Sequence, residues 1–406
     1  MTKHRLTVNE LAQWAEVDAS FVERAAKSGA LGAETGNGFS PEDATKCRFL
    51  AAWDSAGLPV ETVGGLVASG EIQFSFLGAP FLAVEPRLAL TYAELSRKTG
   101  VDLGMVQLLH EAMGFQPPDP EDRAREDDQR LLEWARIMSS AGFSEAAILR
   151  LARVYSAELR RITIAEAEGY ESEIEDPHRE QGASELELFE LGGQIGKRLP
   201  ELFERSIVDI YRRHRRLIWL DHSIRHIEII LESKGLFERM DRPPCVCFVD
   251  LTGFTRLTEE QGDQVAAQVA RRLEELVERM SHRFSGRPVR WLGDGGMFVF
   301  QDPLAAVDAS VAMVEAVSES GLPPTHIGIH CGPVIFQDGD IYGRTVNLAS
   351  RLASVATAGE ILVSAPMVER IGQARRFELV GPLELKGVAE PLVTYRLAPN
   401  TRTQGS

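Results

Sequence analysis

Four cysteines in 406 residues are too few to staple a chain of this size, which excludes a fold built on a disulfide framework. No run approaches the ~20 apolar residues that cross a bilayer, and the opening MTKHRLTVNE lacks a signal-peptide core. Positive charge is scarce too: 44 Lys plus Arg stand against 60 Asp plus Glu, a net charge of −16. Such a surface repels phosphodiesters and anionic lipid, which argues against non-specific binding to nucleic acid or membranes. What remains is ordinary globular composition, 44% hydrophobic and 26% charged. At ~150 residues per domain the length predicts two or three folded units, and a soluble, cytoplasmic protein is expected.

Cys245 and Cys247 form a Cys-x-Cys inside PPCVCFVDL, an apolar run that reads as a buried strand. Alternate strand residues share a face, so both thiols point the same way. No second Cys or His pair stands nearby at a zinc-site spacing, so they read as core cysteines.

The first half repeats itself. Leu6 answers Leu90, Leu11 answers Leu95, Val17 answers Val101, Val22 answers Val106, and Val63 answers Ile148. Each copy reads as a short helix, a turn at Val-Asp and a second helix, then a further helical pair with Gly at its turn. The units, 1–80 and 85–165, resemble the winged-helix modules of MerR-type regulators set in tandem. DNA binding would need cationic side chains on the second helix. The first copy offers Arg24 and Lys27 beside Glu23, whereas LGMVQLLHEAMG in the second has neither Lys nor Arg. A scaffold for protein contacts is the preferred reading, with DNA binding as the alternative.

Residues 166–198 are acidic and read as a solvated linker, most clearly from Glu168 to Leu188 with Pro177 and Gly182. A connector helix over 199–242 follows, with Leu220, Ile224, Ile227 and Leu231 at helical spacing. It carries His222 and His226, i and i+4 on one face, so protonating both sets like charges side by side. Beyond Pro243-Pro244 the pattern alternates: strand 245–251, helix 256–283, strands 288–292 and 297–301, helix 303–318, strand 325–332, helix 345–355, strand 360–364. That order is α+β, an antiparallel sheet with helices on one face.

Three fragments there carry chemistry. FVDLTGFT (248–255) sets Asp250 at the end of a buried strand, before a turn opening onto a helix whose N–H groups can receive phosphate oxygens. RWLGDGG (290–296) puts Asp294 in a hairpin turn. Two Asp at paired strand ends can share divalent cations. DIYGRTVNLASRL (340–352) sets Asn347 and Arg351 on one helix face.

In this order and spacing the three fragments, with the closing LKGVAEPLVTY (385–395), resemble the class III nucleotidyl cyclase catalytic domain over 243–398. The resemblance implies a ferredoxin-like cyclase domain preceded by an all-α regulatory domain; separately, residues 399–406 are expected to form a disordered tail. It implies an adenylate cyclase converting ATP to 3′,5′-cyclic AMP and pyrophosphate with two divalent cations, Mg²⁺ or Mn²⁺. Asp250, Asp294 and the Leu251 carbonyl would hold the cations, and Gly253, Phe254 and Thr255 the terminal phosphates. Asn347 would orient the ribose and Arg351 would stabilise charge on the pentavalent phosphorus. Arg290, where the family usually has an adenine-reading Lys, and Asp340 would read the base. Arg290 can donate to adenine N1 while Asp340 accepts from N6, yet the pair also suits guanine, and Arg for Lys is not a conservative exchange. The implied assembly is a head-to-tail homodimer. One protomer brings Asp250 and Asp294; the other brings Arg290, Asp340, Asn347 and Arg351.

Overall fold

A computed structural model of the chain describes residues 5–31, 38–72, 74, 87–196, 199–236, 243–388 and 390–398. The chain divides into two compact units, Met1–Ile227 and Glu228–Ser406.

The first unit is helical: α1 (Val8–Ala15), α2 (Ala19–Lys27), α3 (Pro41–Ser55) and α4 (Val60–Ser69), then β1 (Arg87–Thr91), α5 (Tyr92–Thr99), α6 (Leu103–Ala112), β2 (Arg123–Arg125), α7 (Glu126–Ser140) and α8 (Glu145–Tyr170). The repeat is physical. Thr7 caps α1 and Thr91 caps α5, each in a reciprocal capping box with the Glu at the third helical position, Glu10 and Glu94. Leu11 and Leu95, Val22 and Val106, and Val63 and Ile148 are all buried, so each copy closes its own core. The isolated bridge Leu6–Phe39 in the first copy becomes the β1–β2 ladder in the second.

The acidic stretch is not a loop. α8 runs on through a π-helical turn (Glu171–Glu175) into α9 (Asp176–Glu180), and α10 (Glu185–Ile195) follows. Helix survives there because Ser184 and Glu187 form another capping box and Arg179 bridges Asp176 and Glu185. The acidic surplus faces solvent along these helices, which composition alone reads as a loop. α11 (Leu199–Ser233) is the connector, and among its exposed side chains are Leu217, Ile218, Trp219, Leu220, Ile224, Ile227 and Ile230.

The second unit contains β3 (Cys245–Leu251), α12 (Phe254–Gln261), α13 (Asp263–Arg283), β4 (Arg287–Trp291), β5 (Gly295–Phe300), α14 (Pro303–Glu319), β6 (Thr325–Cys331), β7 (Ile335–Gln337), β8 (Asp340–Tyr342), α15 (Arg344–Val355), β9 (Ile361–Ser364), α16 (Ala365–Ile371), β10 (Phe377–Leu383) and β11 (Leu392–Leu397). Seven strands form one sheet in the order β10-β11-β9-β6-β3-β5-β4, antiparallel except for β6 with β9; β7 and β8 form a separate hairpin. β3 is central, and its alternation serves two cores. Cys245, Cys247, Val249 and Leu251 pack with residues of α13, α14 and α16, whereas Val246 and Phe248 pack with Val346 and Ala349 of α15. The expected one-sided helical layer is therefore incomplete: α15 covers the opposite face. The helix read over 256–283 is also two helices, broken at Gly262, whose φ of 86° ends α12.

One buried polar cluster interrupts the apolar core of the second helical copy. Asp128 accepts from the Tyr92 hydroxyl at 2.5 Å and faces His110 Nε2 at 3.2 Å, while His110 Nδ1 lies 2.9 Å from the Val106 carbonyl. Both ring nitrogens face pure acceptors, an arrangement that suits imidazolium. Burial pulls the His110 pKa down, but the bonds to Asp128 and Val106 outweigh it and the net shift is upward. Burial likewise raises Asp128, and the bonds from His110 and Tyr92 reverse that, leaving it lowered. The His110 contribution is thus complete below the ordinary imidazole value of ~6.5 and is lost as pH rises through the raised folded value. The Asp128 contribution is lost as pH falls through its lowered value. Asp128→Ala leaves a buried cation unpaired and should cost about 3–5 kcal/mol near neutrality. In urea melts of the full chain, the gap between wild type and variant should be widest near pH 6 and narrow steadily toward pH 9; a constant gap would show that His110 is neutral.

Candidate active site

Asp250 is the penultimate residue of β3 and pairs with Gly295 across the ladder, while the Leu251 N–H bonds to the Asp294 carbonyl at 3.1 Å. That register brings the two carboxyls into contact. Asp250 is pushed up to about 6, by burial first, then by the charge of Asp294 and the hydrogen bond between the two groups. Gly295 is required here: a Cβ on it would lie 2.5 Å from the Val249 carbonyl and 2.7 Å from Asp250 Oδ1. Gly293, with φ of 73°, turns the chain just before Asp294.

His326 joins this pair and was not anticipated from sequence. It sits across the ladder from Asp250, with Nε2 at 3.8 Å from Oδ2 and Nδ1 at 3.1 Å from the Thr252 hydroxyl. Burial lowers its pKa, so the ring is neutral. The one available signal was its place at the start of a strand that must flank β3.

Past Asp250 the chain turns through Gly253, in the left-handed region at φ 77°, and begins α12 at Phe254. Space is open where a Gly253 side chain would stand. Phe254 anchors the helix start against the core while Thr255 is exposed, so the first N–H groups of α12 face outward.

Arg290 lies where β4 slips register against β5, a bulge that re-aims its side chain. Trp291 steadies the strand by packing edge-on against Phe298 and donating to Glu278 at 3.2 Å. Arg290 forms an ion pair with Asp340 Oδ2, and Oδ1 accepts from the Ile341 N–H at 2.8 Å. Asn347 and Arg351 project from the exposed face of α15, opposite buried Thr345, Leu348 and Leu352. Among the described residues no ion-pair partner meets the Arg351 guanidinium. α15 is set by Gly328 of β6, where a Cβ would fall 2.1 Å from the Ala353 nitrogen and 2.5 Å from the Ala349 carbonyl.

The structure therefore makes two side-chain pairs, Asp250–Asp294 beside the Gly253 turn and Arg290–Asp340 on β4 and β8, and leaves Asn347 and Arg351 on the exposed face of α15. The first suits a hard divalent cation, since two carboxylates that repel are relieved by one. Among the described residues no cluster of three or more His, Cys, Asp or Glu forms a complete protein cage. Two carboxylates would leave the other positions around such a cation to further oxygen ligands and water, as Mg²⁺ prefers.

Residues 239–399 match the family described as the adenylate and guanylate cyclase catalytic domain. That segment is a cyclase catalytic domain of class III, a class that acts on nucleoside triphosphates with divalent cations and typically dimerises. The chain is 26% identical over 284 residues to an adenylate cyclase of Streptomyces coelicolor, covering 70% of this chain and 71% of that one. It is 26% identical over 339 residues to a pH-sensitive adenylate cyclase of Mycobacterium tuberculosis, covering 77% and 79%. Among solved structures, the adenylyl cyclase CyaB of P. aeruginosa aligns at 26% identity and a TM-score of 0.36, covering 40% of this chain and 96% of that one. Both sequence alignments are longer than the catalytic segment, so similarity to these relatives extends into the helical half.

Because burial and Asp294 together raise Asp250, Asp294→Asn should lower its titration midpoint from about 6. Burial remains, so the midpoint should stay above the ordinary ~3.9. Carboxyl ¹³C NMR of the cation-free protein reads this directly, and an unmoved midpoint would show that the carboxyls do not interact.

Proposed function

We propose that the protein is an adenylate cyclase converting ATP to 3′,5′-cyclic AMP and pyrophosphate at sites shared between two copies of the catalytic unit. The carrying observation is the contact between Asp250 and Asp294, a pair whose mutual repulsion a divalent cation relieves. Bound cations would lower the pKa of the ribose 3′-hydroxyl and neutralise the departing pyrophosphate. Asp250, Asp294 and the Leu251 carbonyl hold them, and the N–H groups of Gly253, Phe254 and Thr255 receive the terminal phosphates. Asn347 orients the ribose, and Arg351 supplies fixed positive charge where negative charge gathers on the α-phosphorus. Asp340 keeps the Arg290 guanidinium in one orientation, so the two groups meet the base edge as donor and acceptor.

The outward face of Asn347 and Arg351, unpaired among the described residues, supports completion of the site by a partner. In this reading each site takes Asp250 and Asp294 from one protomer and the four other side chains from its partner. The helical half is read as regulatory, supported by its similarity to a relative described as pH-sensitive. A physical element for such control is the exposed His222–His226 pair on α11, whose Nε2 atoms lie 3.0 Å apart. DNA binding is disfavoured because Arg24 of α2 is already held by Glu61 and Asp54.

Asp250→Ala and Arg351→Ala chains should each lose about 10²–10³-fold or more in cyclic AMP formation with Mn²⁺. Mixed in equal amounts with demonstrated subunit exchange, they should regain up to about one quarter of wild-type turnover, since each heterodimer of a symmetric pair has one native site. No recovery would place the site within one chain. Arg290→Lys replaces a planar fork by a compact ammonium and should raise kcat/KM for ATP relative to GTP. If wild type prefers GTP and the variant ATP, the base-reading assignment stands and the substrate does not.

A further inference from the structure

The four thiols are not alike. Cys47 and Cys247 are each pushed up to about 12 by burial, and so are inert. Cys245 and Cys331 stand directly opposite each other on antiparallel β3 and β6, with sulfurs 2.7 Å apart. The Gly332 N–H bonds to the Pro244 carbonyl at 3.2 Å, one residue outside the pair on each strand. That bond marks Cys245–Cys331 as a non-hydrogen-bonded pair, the position where antiparallel backbones approach to about 4.5 Å between Cα atoms. A disulfide requires Cα atoms about 4.4–6.8 Å apart, so the bond can form without moving either strand.

A cation completes the cluster. Arg370 of α16 donates through Nη1 to the Cys331 sulfur and, at 2.7 Å, to the Pro243 carbonyl. The hydrogen bond from Cys245 and the Arg370 guanidinium lower the Cys331 thiol, while the same contact raises Cys245. The cluster thus holds a thiolate-prone sulfur, a thiol in bonding contact and a guanidinium. The guanidinium also argues against a metal, since it occupies the space a second cation would need.

We propose that Cys245 and Cys331 are an oxidation site at which hydrogen peroxide converts the pair into a cross-strand disulfide that an external dithiol reduces again. The Cys331 thiolate attacks one peroxide oxygen: the S–O bond forms, the O–O bond breaks, and the departing hydroxide leaves as water with the thiol proton. The Cys245 sulfur then attacks the sulfenic acid at Cys331. The S–S bond forms, the S–O bond breaks, and the second hydroxide leaves with the Cys245 proton. Two thiols supply two electrons, and one peroxide becomes two waters. Cys331 ends β6 beside exposed Pro333 and is 4% exposed against 0% for Cys245, which makes it the sulfur a small oxidant meets. The proposal does not depend on the nucleotide chemistry.

The test treats the full chain with hydrogen peroxide, unfolds it in alkylating agent, and reads intact mass and non-reduced peptide maps. Of four cysteines, two should remain alkylatable, and the chain should lose two hydrogens. The peptides carrying Cys245 and Cys331 should be joined, and dithiothreitol should restore all thiols. Cys245→Ser should stop the reaction at a dimedone-trappable sulfenic acid on Cys331. Arg370→Gln, which leaves both cysteines in place, should slow thiol loss several-fold. Four alkylatable thiols, a bridge through Cys47 or Cys247, sulfinic acid at Cys331 without a bridge, or an unchanged rate in Arg370→Gln would each overturn the proposal.

Discussion

Two carboxyls that repel each other, Asp250 and Asp294, are held in contact, and the catalytic unit is arranged around keeping them there. The restraint is β3. Val246, Val249 and Leu251 are buried in its two cores, and such side chains contribute roughly 1.5–3 kcal/mol each. Hydrogen-bonded strands on both sides leave β3 no freedom to twist Asp250 away. The repulsion is thus sustained by burial elsewhere, and it adds to the burial of Asp250 itself, which is the larger cause of a carboxyl pushed up to about 6. On the proposed reading, a cation entering there would meet two carboxylates already in place and need not gather them.

Close backbone approach does the rest of the positioning. Gly295 lets β5 pass beside Asp250, and Gly328 lets α15 lie directly on β6. A methyl group at either place would lift an element by a fraction of its side-chain radius and move the residues it carries. Overpacking of that kind typically costs about 1–3 kcal/mol. The geometry of Asn347 and Arg351 is therefore set less by their own helix than by a glycine on the strand beneath it. Arg290 is aimed by a different device, the β4 bulge, with Trp291 fixing the strand next to it.

These distinctions explain what sequence alone made legible. The placement of Asp250 at a strand end, of Asp294 in a hairpin turn and of Asn347 and Arg351 on one helix face was readable because each lies within a short local motif. The helix break at Gly262 was missed because an apolar pattern continued across it. The cover of the second sheet face by α15 was missed because periodicity says that a helix is amphipathic, not which face of a sheet receives it. His326 and the Cys245–Cys331 pair depend on the register of strands far apart in sequence, which no local pattern encodes. Residues 166–196 misled in the opposite direction: their acidity suggested a solvated loop, while capping and ion pairs make helix of most of them.

The helical repeat shows how one framework takes on different chemistry. Asp43 in the first copy bonds to the backbone and hydroxyl of Ser40 and caps α3. Its counterpart, Asp128, lies at the same stage of α7 but turns inward to Tyr92 and His110, whose own counterparts are Val8 and Ala26. The first copy therefore closes on apolar contacts that are indifferent to pH. The second closes on a buried charge pair that is not. Replacing such a pair with apolar groups is often neutral or stabilising, so its presence is not needed for a folded core of this size. What it adds is a dependence of that copy's stability on proton concentration, and α8, whose Ala152 belongs to the same core cluster as Tyr92, is the helix that continues into the acidic helices. Among the described residues, the buried pair thus ties protonation to the packing of the second copy, where the first copy has apolar side chains at the positions of Tyr92 and His110.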